Sequence, residues 1–472
     1  MKMEKSLGFD STLAQSLCIG LLAAVYLGVF QFLVADDRIS SIYFFNSSSG
    51  GLMQTLPIEQ LRQDPIGSIR YLHMQPPLFD TIRAVIANLL VDETIVEKVE
   101  LIQSVDRVLL HLYLVLYGLL TAIIFGWIKL ATTSTLFAST MSVGWILYPT
   151  PIFLSTFLDG TLLSTVLISW MILEIWLFYK GHGRTGFLIT AVLLCFFTRS
   201  FFQWYFFVVL FVSLLAIGMN RKQLVLVCLF LGLGAGGYLT KQYLIFGIAS
   251  TSTFAGEHMT GMLWIEEANP AGGSVWTGVE TDAYRDMLNS RKAEIEVQYP
   301  EPAKQYAGGY NTQEQWQLNF IHSTLAKETC AENSKYCFLA IWRSLRQNWS
   351  EYWHVEGWSN SILIDRLPDW YTKAYYRVST RYVWFLILGA ICFMVVRIYI
   401  RDHKKQYWWQ VLGVILVPGF IFGICIFGNR FDWYEGGRLK FFLEPVYFVF
   451  VSSQIYLFGT QLFWKTKKTG FE

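Results

Sequence analysis

Residues 11–38 read STLAQSLCIGLLAAVYLGVFQFLVADDR. A mostly apolar run from Thr12 to Val34 ends at two adjacent carboxylates, Asp36 and Asp37, and then Arg38. A helix needs about 20 such residues to cross hydrocarbon, because no backbone amide can stay unpaired there. The stretch therefore predicts a membrane-crossing helix. Lys2 and Lys5 precede it, and no small-x-small cleavage site follows, so it reads as a retained first span rather than a cleaved leader.

The remaining sequence repeats this signal. Of 472 residues, 54% are apolar, 17% are aromatic and 15% are charged, against about 25% charged in a soluble domain. Formal net charge is +2, so no bulk field recruits polyanions. These figures exclude a soluble enzyme, a disordered scaffold and a basic nucleic-acid binder. Apolar windows fall near 12–34, 107–130, 134–150, 160–179, 186–203, 204–220, 223–248, 381–400, 408–427 and 441–463. The expected fold is an all-α polytopic membrane protein with about ten transmembrane helices.

Lys129, Lys180 with Arg184, Arg221 with Lys222, Arg401 with Lys404 and Lys405, and Lys465 with Lys467 and Lys468 flank alternate span ends. Basic residues mark the cytoplasmic side, which puts both chain ends in the cytosol. The expected organisation is a transmembrane core over 1–248 carrying a first outer loop at 35–106. An outer segment at 249–380 follows, and then C-terminal transmembrane helices over 381–472 with a short outer loop at 428–440. Two outer loops this long suit a surface site better than a transporter built from inverted repeats.

Two features of the first outer loop carry chemistry. Asp36 and Asp37 stand at a lipid–water boundary, where desolvation and mutual repulsion raise at least one carboxyl pKa and make a better general base. The plainer reading is that acids mark a helix end. Further on stands Tyr71-Leu72-His73-Met74-Gln75-Pro76-Pro77-Leu78-Phe79-Asp80. Its prolines suit a helix start, and Leu78, Ile82, Val85, Ile86 and Leu89 make an apolar face for a helix lying in the interface.

A first span ending in paired acids, a gap of roughly 35 residues, and H-x-x-P-P-L-F on a juxtamembrane helix resemble the GT-C glycosyltransferases. The branch it looks most like is the dolichyl-phosphate-mannose protein mannosyltransferases and bacterial aminoarabinose transferases. The match covers about the first 90 residues, and beyond them only the span pattern. The resemblance implies transfer of a sugar from a polyprenyl-phosphate donor to a glycan, lipid or protein acceptor, with inversion, on the outer (periplasmic or lumenal) face. It maps the base onto Asp36 with Asp37 in support. In the family a basic residue or His directly precedes Pro-Pro; here that position is Gln75 and His73 lies two positions earlier, so both are candidates for the donor phosphate.

A phosphate leaving group also needs cations, and Arg suits it through bidentate bonding. Arg199 in Phe197-Thr198-Arg199-Ser200 and Arg430, Arg438 and Lys440 in the 428–440 loop are the candidates, with Tyr434 and Glu435 beside them and Asp159 at the start of the 160–179 span. Their structural alternative is snorkelling at span ends or, for Asp159, a helix-dipole partner. No histidine pairing of metal-ligand type is present, and no cofactor is required; a divalent cation sharing the phosphate is left open. Cys330 and Cys337, in the polar stretch CAENSKYC, are candidates for a bridge. The G-x-G-x-x-G match at 232–237 lies inside an apolar span, where GxxxG helix packing through Gly232 and Gly236 is the expectation. A bacterial inner membrane fits better than an endoplasmic reticulum. The rival readings are a transporter or flippase for a lipid-linked or polar solute, and an O-antigen ligase or polymerase.

Overall fold

The computed structural model describes residues 2–34, 55–95, 97–148, 151–152, 158–253, 405–427 and 440–469, with scattered positions between 324 and 342. Among them every regular element is helical. In chain order these are α1 (Lys2–Val34), α2 (Ile58–Gln63), α3 (Pro65–Arg70), α4 (Leu78–Val85), α5 (Lys98–Thr132), α6 (Thr135–Ile146), α7 (Thr161–Tyr179), α8 (Thr185–Phe196), α9 (Trp204–Ala216), α10 (Arg221–Phe246), α11 (Lys405–Phe427) and α12 (Glu444–Thr469). Four among the described residues are long and apolar enough to cross a membrane: Ser11–Phe32 within α1, and α5, α7 and α10. Helices α6, α8 and α9 and the stretch Trp409–Cys425 are shorter and equally apolar. The chain is an α-helical membrane protein.

Helix α5 is the centre, packing against α1, α6, α7 and α12, while α7 also meets α8 and α11. At 1.5 Å per residue, its 35 residues run about 50 Å, well beyond a hydrocarbon core of about 30 Å. Its first turns, with Glu100, Asp106 and Arg107, therefore extend past the apolar layer. Tyr113, Tyr117, Leu120 and Ile124 on it are fully buried. The crossing with α1 is the closest backbone approach. A Cβ on Gly118 would lie 2.7 Å from the Gly20 carbonyl oxygen, and one on Gly126 would lie 2.9 Å from Ser16 Oγ. Small residues let helices meet this closely where lipid offers no hydrophobic gain.

The chain reverses between spans at defined caps. Ser134 accepts from the Phe137 amide at 3.2 Å, and Asn220 accepts from that of Lys222 at 2.9 Å. Gly247 closes α10 with φ at +69°, a left-handed conformation that glycine adopts without cost.

Helix α4 forms where the apolar pattern predicts it, and a π turn, Ile86–Leu90, extends it. It buries Phe79, Ala84 and Ile86 together with a charged pair. Asp80 and Arg83 are buried, whereas Val85, Leu89 and Leu90 are exposed. The outward apolar side chains suit a lipid boundary. Inside, Arg83 Nη1 bonds Asp80 Oδ1 at 2.5 Å and the Leu56 carbonyl at 2.8 Å, and the Leu56 amide reaches Asp80 at 3.4 Å. Burial pushes the Asp80 carboxyl up, and the Arg83 guanidinium opposes that rise.

Among the described residues, nothing packs against the Gly232 and Gly236 strip that GxxxG spacing marks. A Cβ on Gly232 or Gly236 would meet no described atom within 4 Å, whereas Gly234 abuts Leu193 of α8. Spacing along one helix gives a smooth strip without fixing which way the strip faces.

Candidate functional site

Arg199 follows α8 in a turn that folds back over the start of α7. Its Nε donates to Ser164 Oγ at 2.8 Å and its Nη2 donates to Thr161 Oγ1 at 3.0 Å. Those hydroxyls are themselves fixed, because Ser164 donates to the Gly160 carbonyl at 2.5 Å and Thr161 donates to Asp159 Oδ2 at 2.6 Å. Asp159 also accepts from the Thr161 amide at 2.8 Å. It thus closes the N-terminus of α7, where a carboxylate is favoured by the helix dipole. The two charges stand 3.8 Å apart, with the Arg199 side chain 12% exposed. The guanidinium carbon lies 4.9 Å from the Phe442 ring centre. From α5, the Tyr113 hydroxyl donates to the Asp159 carbonyl. These contacts hold one arginine in one place.

The His73–Phe79 stretch sits against the same turn. The Leu78 amide donates to the Phe197 carbonyl at 2.8 Å, two residues before Arg199, and Phe79 packs beside Gly160, as does the Arg199 fork. The preceding loop is tied to residues 250–253. The Thr253 amide donates to the His73 carbonyl at 3.0 Å, His73 Nδ1 pairs with Thr253 Oγ1 at 2.9 Å, and Ser252 Oγ donates to the Met74 carbonyl. Gln203 joins that segment to the Arg199 turn, donating to the Ser200 carbonyl at 2.7 Å and also to Thr251 Oγ1. His73 is buried. Burial, with help from the Lys241 ammonium, pulls its pKa down to about 3, so the ring is neutral at physiological pH. Gln75 is half-buried one turn before α4.

Lys440 precedes α12 as a buried cation. Its Nζ is 3.7 Å from Glu444 Oε1, which accepts from the Tyr148 hydroxyl at 2.6 Å. Phe441 and Phe442 lie between this pair and the rest of the bundle: Phe441 stacks on Trp145, and Phe442 faces Arg199. The structure thus brings His73, Gln75, Asp159, Arg199 and Lys440 to one end of the bundle. Asp36, Asp37, Arg430, Tyr434, Glu435 and Arg438 lie outside the described residues. Cys330 and Cys337 are joined by a disulfide.

Sequence reading did not single out the residues that lock this end together: Thr161, Ser164, Gln203, Lys241, Gln242, Glu444 and the run 250–253. Two signals were present. Lys241 and Gln242 interrupt the last turns of an apolar span, and Ser250-Thr251-Ser252-Thr253 is an unbroken hydroxyl run. Among the described residues, no three His, Cys, Asp or Glu side chains gather as metal ligands.

No protein-family model matches the chain, and neither a curated protein nor a solved structure shows significant similarity to it.

Proposed function

We propose that the protein is a GT-C-type membrane glycosyltransferase with about ten spans that takes its sugar from a polyprenyl-phosphate carrier. The observation that carries this reading is the Leu78–Phe197 hydrogen bond, which seats the Pro-Pro juxtamembrane motif on the turn bearing Arg199. The loop that begins with the paired acids and a fixed guanidinium are thereby neighbours at one bundle end.

In the proposed reaction the carrier's phosphate docks by that end. Asp36 takes the proton of an acceptor hydroxyl as its oxygen bonds the anomeric carbon. The carbon–phosphate oxygen bond breaks on the opposite face, and the polyprenyl phosphate leaves with the electron pair. Arg199, with Arg438 and Lys440, meets the growing charge, and Asp37 supports the base. His73 and Gln75 act as neutral hydrogen-bonding groups beside the phosphate. A divalent cation sharing the phosphate is compatible with this scheme. The acceptor is a glycan, lipid or protein hydroxyl, and the reaction side is periplasmic, in a bacterial inner membrane. The basic span ends and the Cys330–Cys337 bridge support that side.

The test uses detergent-purified protein and a radiolabelled polyprenyl-phosphate sugar. Asp36→Asn is expected to keep donor binding and folding while transfer falls about 10²–10⁴-fold, the range of general-base assistance. Near-normal transfer by that variant removes the mechanism. A wild type that binds the donor and releases it with the sugar still attached points to a transporter instead.

A further inference from the structure

Two further cations lie at the same bundle end, apart from the hydrogen bonds of Arg199 to Ser164 and Thr161. Lys241, in the last turns of α10, turns its Nζ back to the Leu72 carbonyl at 3.3 Å, and it lies 5.1 Å from the Tyr238 ring and 5.7 Å from the Phe246 ring. Gln242 donates to the same carbonyl at 3.2 Å. Arg70 ends α3, exposed, with its guanidinium 5.7 Å from the Tyr71 ring. Leu72, whose carbonyl Lys241 reaches, lies two residues beyond it, so the chain itself brings the two cations to one place. Among the described residues neither forms an ion pair with a carboxylate.

Like charges brought together beside hydrocarbon cost free energy unless an anion joins them. A lysine that merely snorkelled would run out to water; this one bends inward to a backbone carbonyl. The described surroundings are apolar. Ile66, one turn before Arg70 on the same face of α3, is 82% exposed, and Leu233, two turns inward from Lys241, is 66% exposed. Between Lys241 and Leu233, a Cβ on Gly236 or Gly237 would meet no described atom within 4 Å. The cations carry the argument, and the smooth strip below them indicates where a hydrocarbon tail would run.

We infer that Arg70 and Lys241 together bind the phosphate of an anionic glycerophospholipid whose acyl chain lies along the Gly236–Gly237 surface of α10. The inference uses the charges of Arg70 and Lys241 and needs no step of the proposed sugar transfer, so it stands whether or not that reading does. Each cation near a membrane surface favours an anionic headgroup about fivefold.

The experiment is native mass spectrometry of the detergent-purified full chain with phosphatidylglycerol or phosphatidylcholine of matched acyl chains. Wild type is expected to hold one phosphatidylglycerol about twentyfold more tightly than phosphatidylcholine. Arg70→Gln and Lys241→Gln should each lose about fivefold. Gly237→Leu, where a Cβ meets no described atom within 4 Å and both charges stay intact, should weaken both lipids without changing the preference for phosphatidylglycerol over phosphatidylcholine. Equal binding of the two lipids, or wild-type binding by Arg70→Gln, overturns the site. So does displacement of the lipid by millimolar glycerol phosphate, which would make it a free-phosphate site. Stoichiometric displacement by polyprenyl phosphate would make it a carrier site and would equally overturn the assignment.

Discussion

The imidazole of His73 packs edge-on to Phe246 at 5.1 Å while Nδ1 holds Thr253 Oγ1. The residue therefore fastens the loop between α1 and α5 to the segment that follows α10. Its charge state follows from that placement. The folded pKa is about 3, while in the unfolded chain it is near 6.5. Above pH 6.5 both states hold the ring neutral, and the stability that goes with the buried ring is fully present. As pH falls below 6.5 the unfolded state takes up a proton and the folded state does not, so stability is lost progressively down to about pH 3. One pH unit in that window is worth at most about 1.4 kcal/mol. His73→Gln should accordingly reduce the destabilisation between pH 7 and pH 5 by up to about 2 kcal/mol, read from unfolding curves in detergent at the two pH values. An unchanged pH dependence would mean that the ring is charged and solvated in the folded protein. Arg199 makes the contrasting case. Its hydrogen bonds to Ser164 and Thr161, with the Asp159 carboxylate 3.8 Å away, fix the direction of the guanidinium.

Among the elements, α1 and α5 show how a first span can be fixed without side-chain interlock. Ser16, Gly20 and Ala24 recur every four residues on α1, as do Gly118, Ala122 and Gly126 on α5, and the two strips face each other. Gly118→Leu would drive a side chain into the Gly20 backbone and force the crossing apart, at a cost of about 1–3 kcal/mol. Gly144→Leu is the matched control, since a Cβ there meets no described atom within 4 Å. The first variant should unfold at lower temperature in detergent and the second near wild type; equal unfolding temperatures would refute the crossing. The sequence made the spans readable because hydropathy adds along 20 residues whatever each face touches. It did not make facing readable, because lipid and a helical partner are both apolar. Hence GxxxG spacing predicts an interface at Gly232 and Gly236, where a Cβ meets no described atom within 4 Å, while the strip at Gly20 and Gly118 is not singled out by it. Helix α4 lies where Pro77 and its apolar periodicity predict it, yet Asp80 and Arg83 are buried with Phe79 and Ile86, because the two charges satisfy each other there. For the candidate site, Asp159 and Arg199 could be found as charges beside an apolar span. Their pairing through Thr161 and Ser164 could not, since it depends on how the turn after α8 folds over α7.

At the scale of the whole molecule, charge is sorted between the two ends of the bundle. Lys129 at the end of α5 bonds Gln15 near the start of α1, so those two termini share an end. Lys180 at the close of α7 lies 5.6 Å from the Trp176 ring, and Arg184 caps the start of α8. The opposite end carries Asp159, Arg199, His73 and the Lys440–Glu444 pair. Positive residues at the first end are the topological signal, and the proposed reaction requires the second end to face away from the cytosol. This arrangement can be tested without any knowledge of substrate. Glu93, between α4 and α5, and His182, between α7 and α8, are both exposed and belong to opposite ends. With the cysteines outside the Cys330–Cys337 bridge replaced by alanine, Glu93→Cys should react with a membrane-impermeant maleimide in intact cells, or in spheroplasts where an outer membrane intervenes. His182→Cys should react only after the membrane is permeabilised. The reverse pattern would put Arg199 and the juxtamembrane helix in the cytosol. A donor carried on the outer leaflet could then never reach Asp36, whatever the chemistry of the surrounding residues.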